Sequence, residues 1–159
     1  MGIVKRPYSI LGIVALSLSM MTDVKCEEAP MGLFSVKLPV IAIFHGDLFV
    51  GNATAHLNRK GTIDVRSVLD ANGKCFGSFR FTEANAGIAD VQCNDGSAAR
   101  LSFTALSSFS GYGSGSTASG PASFTFGLRP EVAALHLILP PGQKLVEGSE
   151  GLRLEPAKS

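Results

Sequence analysis

The residues of this chain with the chemistry to form a site are three histidines, three cysteines, scattered carboxylates and a glycine-rich run. A zinc centre wants three or four converging ligands, commonly spaced i, i+4 or as C-x-x-C. His45, His56 and His136 show no such spacing, and His56 falls on a polar face near Asn58, Asp64 and Arg66. Serines are plentiful, yet no G-x-S-x-G turn presents one as a nucleophile. No two carboxylates pair across the expected strands, which disfavours glycosidase chemistry. The run Gly111-Tyr112-Gly113-Ser114-Gly115-Ser116 has the composition of a phosphate cradle, but such a cradle joins a strand to a helix. Here no lysine follows and the next element is another strand. The alternating glycines make one flat strand face instead, suited to close packing. The sequence therefore assigns no catalytic residue, no metal ligand and no cofactor.

The elements that must position any site read as β-structure. In 159 residues there is room for one domain. Glycine is abundant at 18, tryptophan is absent, and ten Phe supply the large core side chains. From Phe49 to Ala105 the odd positions are apolar or small: Phe49, Ala53, Leu57, Ile63, Val65 and Leu69 early on, then Cys75, Phe79, Phe81, Val91, Leu101 and Phe103. The even positions are mostly polar, among them Thr62, Asp64, Arg66, Ser78, Arg80, Asp90, Gln92 and Arg100. A period of two is the signature of strands with one buried and one wet face. Keeping odd residues on one face requires odd-length loops. Arg59-Lys60-Gly61, Ala71-Asn72-Gly73 and Asn94-Asp95-Gly96 read as three-residue hairpin loops ending in glycine, and Ala118-Ser119-Gly120 has the same form.

Register then locates the cysteines. A loop Glu83-Ala84-Asn85 sets Phe81 opposite Gly87, Phe79 opposite Ala89 and Cys75 opposite Cys93, within disulfide reach. On the polar face the same register puts Arg80 diagonal to Asp90, which faces Ser78.

After Ala105 the phase changes. Phe124, Phe126 and Leu128 are even-numbered, and the Ala118–Gly120 loop would set them opposite Tyr112, Ser114 and Ser116, with residues 106–109 absorbing the shift as a bend or bulge. The stretch 33–44 is apolar, interrupted by Pro39, and reads as an edge strand. Arg129-Pro130-Glu131 opens a short helix whose Val132, Leu135 and Leu139 would cover an open end of the sheet. The expected fold is all-β: an antiparallel meander of about six to seven strands, as a curled sheet or small barrel, with one short C-terminal helix. The expected organisation is a signal peptide over 1–26, an edge-strand extension over 27–46, the meander with its helix over 47–139, and a flexible tail over 140–159.

The first residues read as an export signal. Lys5 and Arg6 form a positive n-region, and the run from Ile10 to Met21 has signal-peptide length, short of the roughly 20 apolar residues a membrane span needs. Ser17-Leu18-Ser19 and Val24-Lys25-Cys26 are both possible cleavage sites. Acylation of Cys26 is disfavoured by Asp23 and Lys25 just before it; an uncleaved anchor is the other alternative. Export implies an oxidising compartment in which Cys75–Cys93 forms. Of 14 basic and 13 acidic residues, loss of Lys5, Arg6, Lys25 and Asp23 leaves 11 against 12, a net charge of −1. That overall balance argues against nucleic acid or an anionic membrane as an electrostatic partner.

With Cys75-Phe76-Gly77-Ser78-Phe79, Cys93-Asn94-Asp95-Gly96, the glycine run and Phe124-Thr125-Phe126-Gly127 in view, residues 47–128 resemble a loose group of small exported bacterial proteins, many from proteobacteria. Those carry C-x-G-x-F, C-x-D-G, a Gly-rich strand and F-x-F-G. The resemblance implies a bacterial periplasmic or envelope β domain and brings no enzymatic activity with it. The expected function is a non-enzymatic envelope module with a binding or structural role, its partner an unidentified protein or envelope component. Tyr112, Arg66, Arg80 and Asp90 are its candidate binding surface. The alternative is a small barrel handling a lipid or other ligand, or a hydrolase, built around an internal cavity lined by Phe79, Phe81, Leu101 and Phe103.

The protein recovered from the envelope of producing cells is expected to have an intact mass corresponding to a start near Met20 or Glu27, rising by two hydrogens on reduction. A mass starting at Cys26 with acyl chains would instead define a lipoprotein.

Overall fold

A computed structural model describes residues 34–158; the expected signal segment and Cys26 lie outside the described residues. Eight antiparallel strands follow in chain order: β1 (Ser35–Phe44), β2 (Asp47–His56), β3 (Lys60–Ser67), β4 (Lys74–Phe81), β5 (Ala86–Cys93), β6 (Ala98–Ser107), β7 (Ser110–Thr117) and β8 (Gly120–Phe126). Each pairs with the next, and β8 pairs back onto β1, closing a barrel. After them come a single helical turn, α1 (Pro130–Ala133), and a two-stranded sheet of β9 (Gln143–Gly148) and β10 (Gly151–Pro156).

The strand count exceeds the six to seven expected, and β1 is no edge. It lies between β2 and β8, with Val40 opposite both Gly51 and Phe126. Pro39 is tolerated because its carbonyl accepts from Gly127 N–H at 2.8 Å just where β8 ends, so its missing donor interrupts no ladder. β1 also lacks alternation for a physical reason. Leu38, Val40, Ala42 and Phe44 face the barrel interior, while Ile41 and Ile43 face outward beneath the C-terminal segment.

The central registers follow the sequence reading. Cys75 lies opposite Cys93, Phe79 opposite Ala89 and Phe81 opposite Gly87, and Cys75 and Cys93 are disulfide-bonded. For a loop of this length, chain-entropy models give about 3 kcal/mol, an upper figure. The loop Asn94-Asp95-Gly96 forms as expected, with Gly96 at φ +88°.

Three other turns differ. The β2–β3 loop is residues 57–59, with Arg59 rather than glycine left-handed at φ +62°. Gly61 instead sits inside β3, opposite Phe79. The β3–β4 connection is longer than three residues, which leaves Leu69 83 % exposed rather than inward. The β7–β8 turn is the two residues 118–119, so Gly113 faces Phe124 and Gly111 faces Phe126 in place of the Tyr112 and Ser114 pairings expected. A register shift does occur between Ala105 and Ser107, but the phase of the inward face reverses at the β7–β8 turn. A one-residue slip sends a strand's side chains to the other face, and only this register places both rings inside.

Those rings need the glycines opposite them. Phe103 is the hub, edge-on to Phe79, Phe81, Phe124 and Phe126 at centroid distances of 5.1–6.4 Å. A Cβ at Gly113 would lie 2.5 Å from the Phe124 ring and 2.6 Å from the Ser102 carbonyl oxygen. The inside of the barrel is therefore filled by phenylalanines lying over a glycine floor.

The helix and tail also depart from expectation. Ala133 and Leu137, rather than Leu135, make the buried contacts, and they cover the outer wall at β1 and β2 instead of an open end. The tail expected to be flexible forms β9 and β10, whose Leu145, Leu152 and Leu154 pack on Ile41, Ile43 and Leu48. Alternating leucines in two short strands supply the apolar cover that this wall requires.

Substituting Gly113→Ala is expected to destabilise the protein by about 1–3 kcal/mol through overpacking, while Ser114→Ala next to it, on the wet face, should stay within about 0.5 kcal/mol. Urea unfolding of the two variants measures the difference.

Candidate functional site

The structure scatters the four residues expected to form a binding surface. Arg80 and Asp90 do meet on the outer wall, at 3.8 Å. Arg100, which directly faces Asp90 across β5 and β6, makes the closer contact, Nε donating to Asp90 Oδ1 at 2.6 Å. This hydrogen bond, assisted by the charges of Arg100 and Arg80, lowers the Asp90 carboxyl below its ordinary value. Arg66 stands exposed on β3, and Tyr112 lies on β7, four strands away around the barrel. Tyr112 is partly covered by its own chain: His136, just after α1, stacks on its ring at 4.3 Å. The nearby Ile138 N–H donates to buried Ser123 Oγ at 2.8 Å. Tyr112 thus helps seat the C-terminal segment.

The histidines are dispersed as well. His45 and Gly46 both have positive φ and form the β1–β2 turn. His56 ends β2 with its Nδ1 buried and without a hydrogen-bond partner. Among the described residues no cluster of three or more His, Cys, Asp or Glu could hold a metal ion, and no helix is long and apolar enough to cross a membrane.

A different constellation stands out at one end of the barrel. The start of β1 meets there the β2–β3, β4–β5 and β6–β7 connections. Of ten exposed large apolar side chains among the described residues, five crowd this end: Phe34, Val36, Leu57, Leu106 and Phe109. Phe34 is 70 % exposed and Leu57 78 %. With Phe81 they line a cleft of about 590 Å³. A gathered apolar patch marks a contact surface, whereas single exposed apolar residues are ordinary. Arg59 braces the rim. Its guanidinium donates to the Glu83 carbonyl, donates to the Ala84 carbonyl at 3.0 Å, and lies 4.8 Å from the centroid of Phe81.

Beneath the rim, the interior keeps only about 30 Å³ of apolar space, bounded by Phe79, Phe81, Phe103, Phe124 and Phe126 among others. Small-molecule sites occupy roughly 300–1,000 Å³, so the interior as it stands is a packed core and the surface on offer is its mouth.

Sequence reasoning missed the rim because it reads strand periodicity. Leu57 continued the odd-numbered series and was assigned inward, and Leu106 and Phe109 fell within the bend. The available signal was large apolar residues inside loops. Comparison with family models, curated proteins and solved structures finds no match to this chain.

The Asp90 carboxyl should titrate below 3.8 in the folded protein. Because its folded value is lowered, its contribution to stability is present above the ordinary carboxylate range and is lost as pH falls through the folded value. An NMR titration should move back toward 3.8 in Arg100→Gln, and by more than in Arg80→Gln, since the Arg100 hydrogen bond is the larger cause.

Proposed function

We propose that this protein is an exported, non-enzymatic module of the bacterial envelope whose rigid barrel presents its apolar end as a binding surface. The observation that carries the reading is the gathering of Phe34, Leu57, Leu106 and Phe109 at one end of a barrel whose wall from β3 to β7 is mostly polar, with Phe76 standing singly on it. The disulfide and the export signal support the compartment. The resemblance of residues 47–128 to small exported bacterial proteins supports the source.

The scaffold suits such a role. Closure removes exposed sheet edges, so recognition by strand addition has no free edge on the barrel. The rim residues come from separate connections and strand ends held by a shared aromatic core, so they are presented together with little ordering cost on contact. Arg80, Asp90 and Arg100 satisfy one another on the wall, where exposed ion pairs of this kind contribute little. The second reading, a ligand- or lipid-handling barrel, is favoured by the apolar cleft alone, since the filled interior provides no chamber.

A photo-activatable phenylalanine analogue at Leu106 is expected to yield covalent adducts with an envelope component in producing cells, whereas the same group at Phe76, exposed on the wall, yields none. Equal labelling at the two positions, or none at either, would remove the apolar end as the binding surface.

A further inference from the structure

We infer that the occupant of the apolar end is an anionic lipid bilayer, onto whose surface the barrel docks end-on; this rests on the apolar end being the binding surface. Three features of the molecule converge on that partner.

The first is charge. Within three residues of the connections at the apolar end, the strands and loops of the barrel carry Lys37, Arg59 and Lys60 against Glu83 alone, beside Arg80, which is paired with Asp90 on the wall. Over the same depth at the opposite end, Asp47, Asp70 and Asp95 balance Arg66, Lys74 and Arg100. The net charge of the whole chain conceals this polarity. Basic residues beside an apolar surface strengthen attachment to an anionic membrane, while the apolar groups insert among the headgroups.

The second is the wall. Transmembrane barrels face lipid with an apolar outer band around a polar interior. Here the arrangement is reversed: phenylalanines fill the inside, and Thr62, Ser78, Asp90, Gln92, Arg100 and Ser102 face out. Lipid can meet this barrel at its end and not along its side.

The third is the course of the chain. Phe34 is at once the first described residue and part of the rim, so residues 1–33 join the barrel at its apolar end. Only twelve residues lie between the apolar run from Ile10 to Met21 and Phe34. If that run acts as the export signal, the apolar end is the part of the barrel that follows it most closely in the chain and is nearest the membrane on export. Should Cys26 carry acyl chains, seven residues would separate the anchor from Phe34, and anchor and rim would act on the same bilayer. A second copy of the protein fits less well, because two such ends would bring their basic residues together.

The protein contains no tryptophan, so single Trp substitutions report position without background. Leu57→Trp and Phe109→Trp mark the apolar end, Leu69→Trp the opposite end and Phe76→Trp the wall; all four positions are exposed, so folding should persist. Protein purified from the envelope, with whichever N-terminus it carries, is added to phosphatidylglycerol–phosphatidylethanolamine vesicles with brominated acyl chains. Insertion by roughly 5–10 Å should quench the two rim tryptophans about twofold and shift their emission to the blue, leaving Leu69→Trp and Phe76→Trp unchanged. Adding Lys60→Glu to Leu57→Trp should reduce the quenching, as should high salt. Quenching at no position, or equally at all four, overturns the inference. If photo-adducts at Leu106 then prove to be protein, the apolar end remains a binding surface with a protein partner; if there are no adducts either, both readings fall.

Discussion

The barrel depends on phenylalanine rings lying over glycines in neighbouring strands. Gly87 is flanked by Phe81 and Phe103, Gly113 by Phe103 and Phe124, and Gly111 receives Phe126. A ring covers the backbone that glycine leaves bare, and glycine leaves room for a ring that any Cβ would displace. Because each of these pairs joins two strands, the pairing selects register as well as filling space. It also explains why the β7–β8 turn has two residues, since one more would turn Phe124 and Phe126 out into water.

Filling the interior this way has a functional consequence. A barrel of eight strands is near the size at which side chains either fill the centre or leave space for one small ligand. Phe103 and the four rings around it decide for filling. What remains for recognition is the outside, and most of the wall is polar or lies under the chain's own C-terminal segment. Among the described residues, five of the ten exposed large apolar side chains gather at one end of the barrel. The disulfide reinforces the same rigidity farther along the core, joining β4 to β5 toward the opposite end.

Charge illustrates how position outweighs total. A net charge near zero suggested indifference to anionic surfaces, yet folding sorts basic residues toward the apolar end and leaves the other end balanced. Asp90 shows the same point on a smaller scale. Its diagonal neighbour Arg80 was legible from register, but Arg100, opposite it on the next strand, makes the shorter bond. Tyr112 was legible as a prominent side chain, but not as the platform on which His136 stacks, because the return of the chain over β7 after β8 leaves no trace in strand periodicity.

From the sequence alone followed the β class, the hairpin registers from β4 to β6, the Cys75–Cys93 pairing and the helical turn at Pro130. All of these rest on period-two alternation and short turns, which are local and survive in a single linear pattern. Only the tertiary structure decided that β1 closes onto β8, that the C-terminal leucines cover β1 and β2, and that residues of loops and strand ends far apart in sequence form one apolar rim. Closure pairs Val40 with Phe126, a contact with no counterpart in local periodicity. A side chain in a loop has no face until the barrel around it closes, so the character of this end arises with the fold.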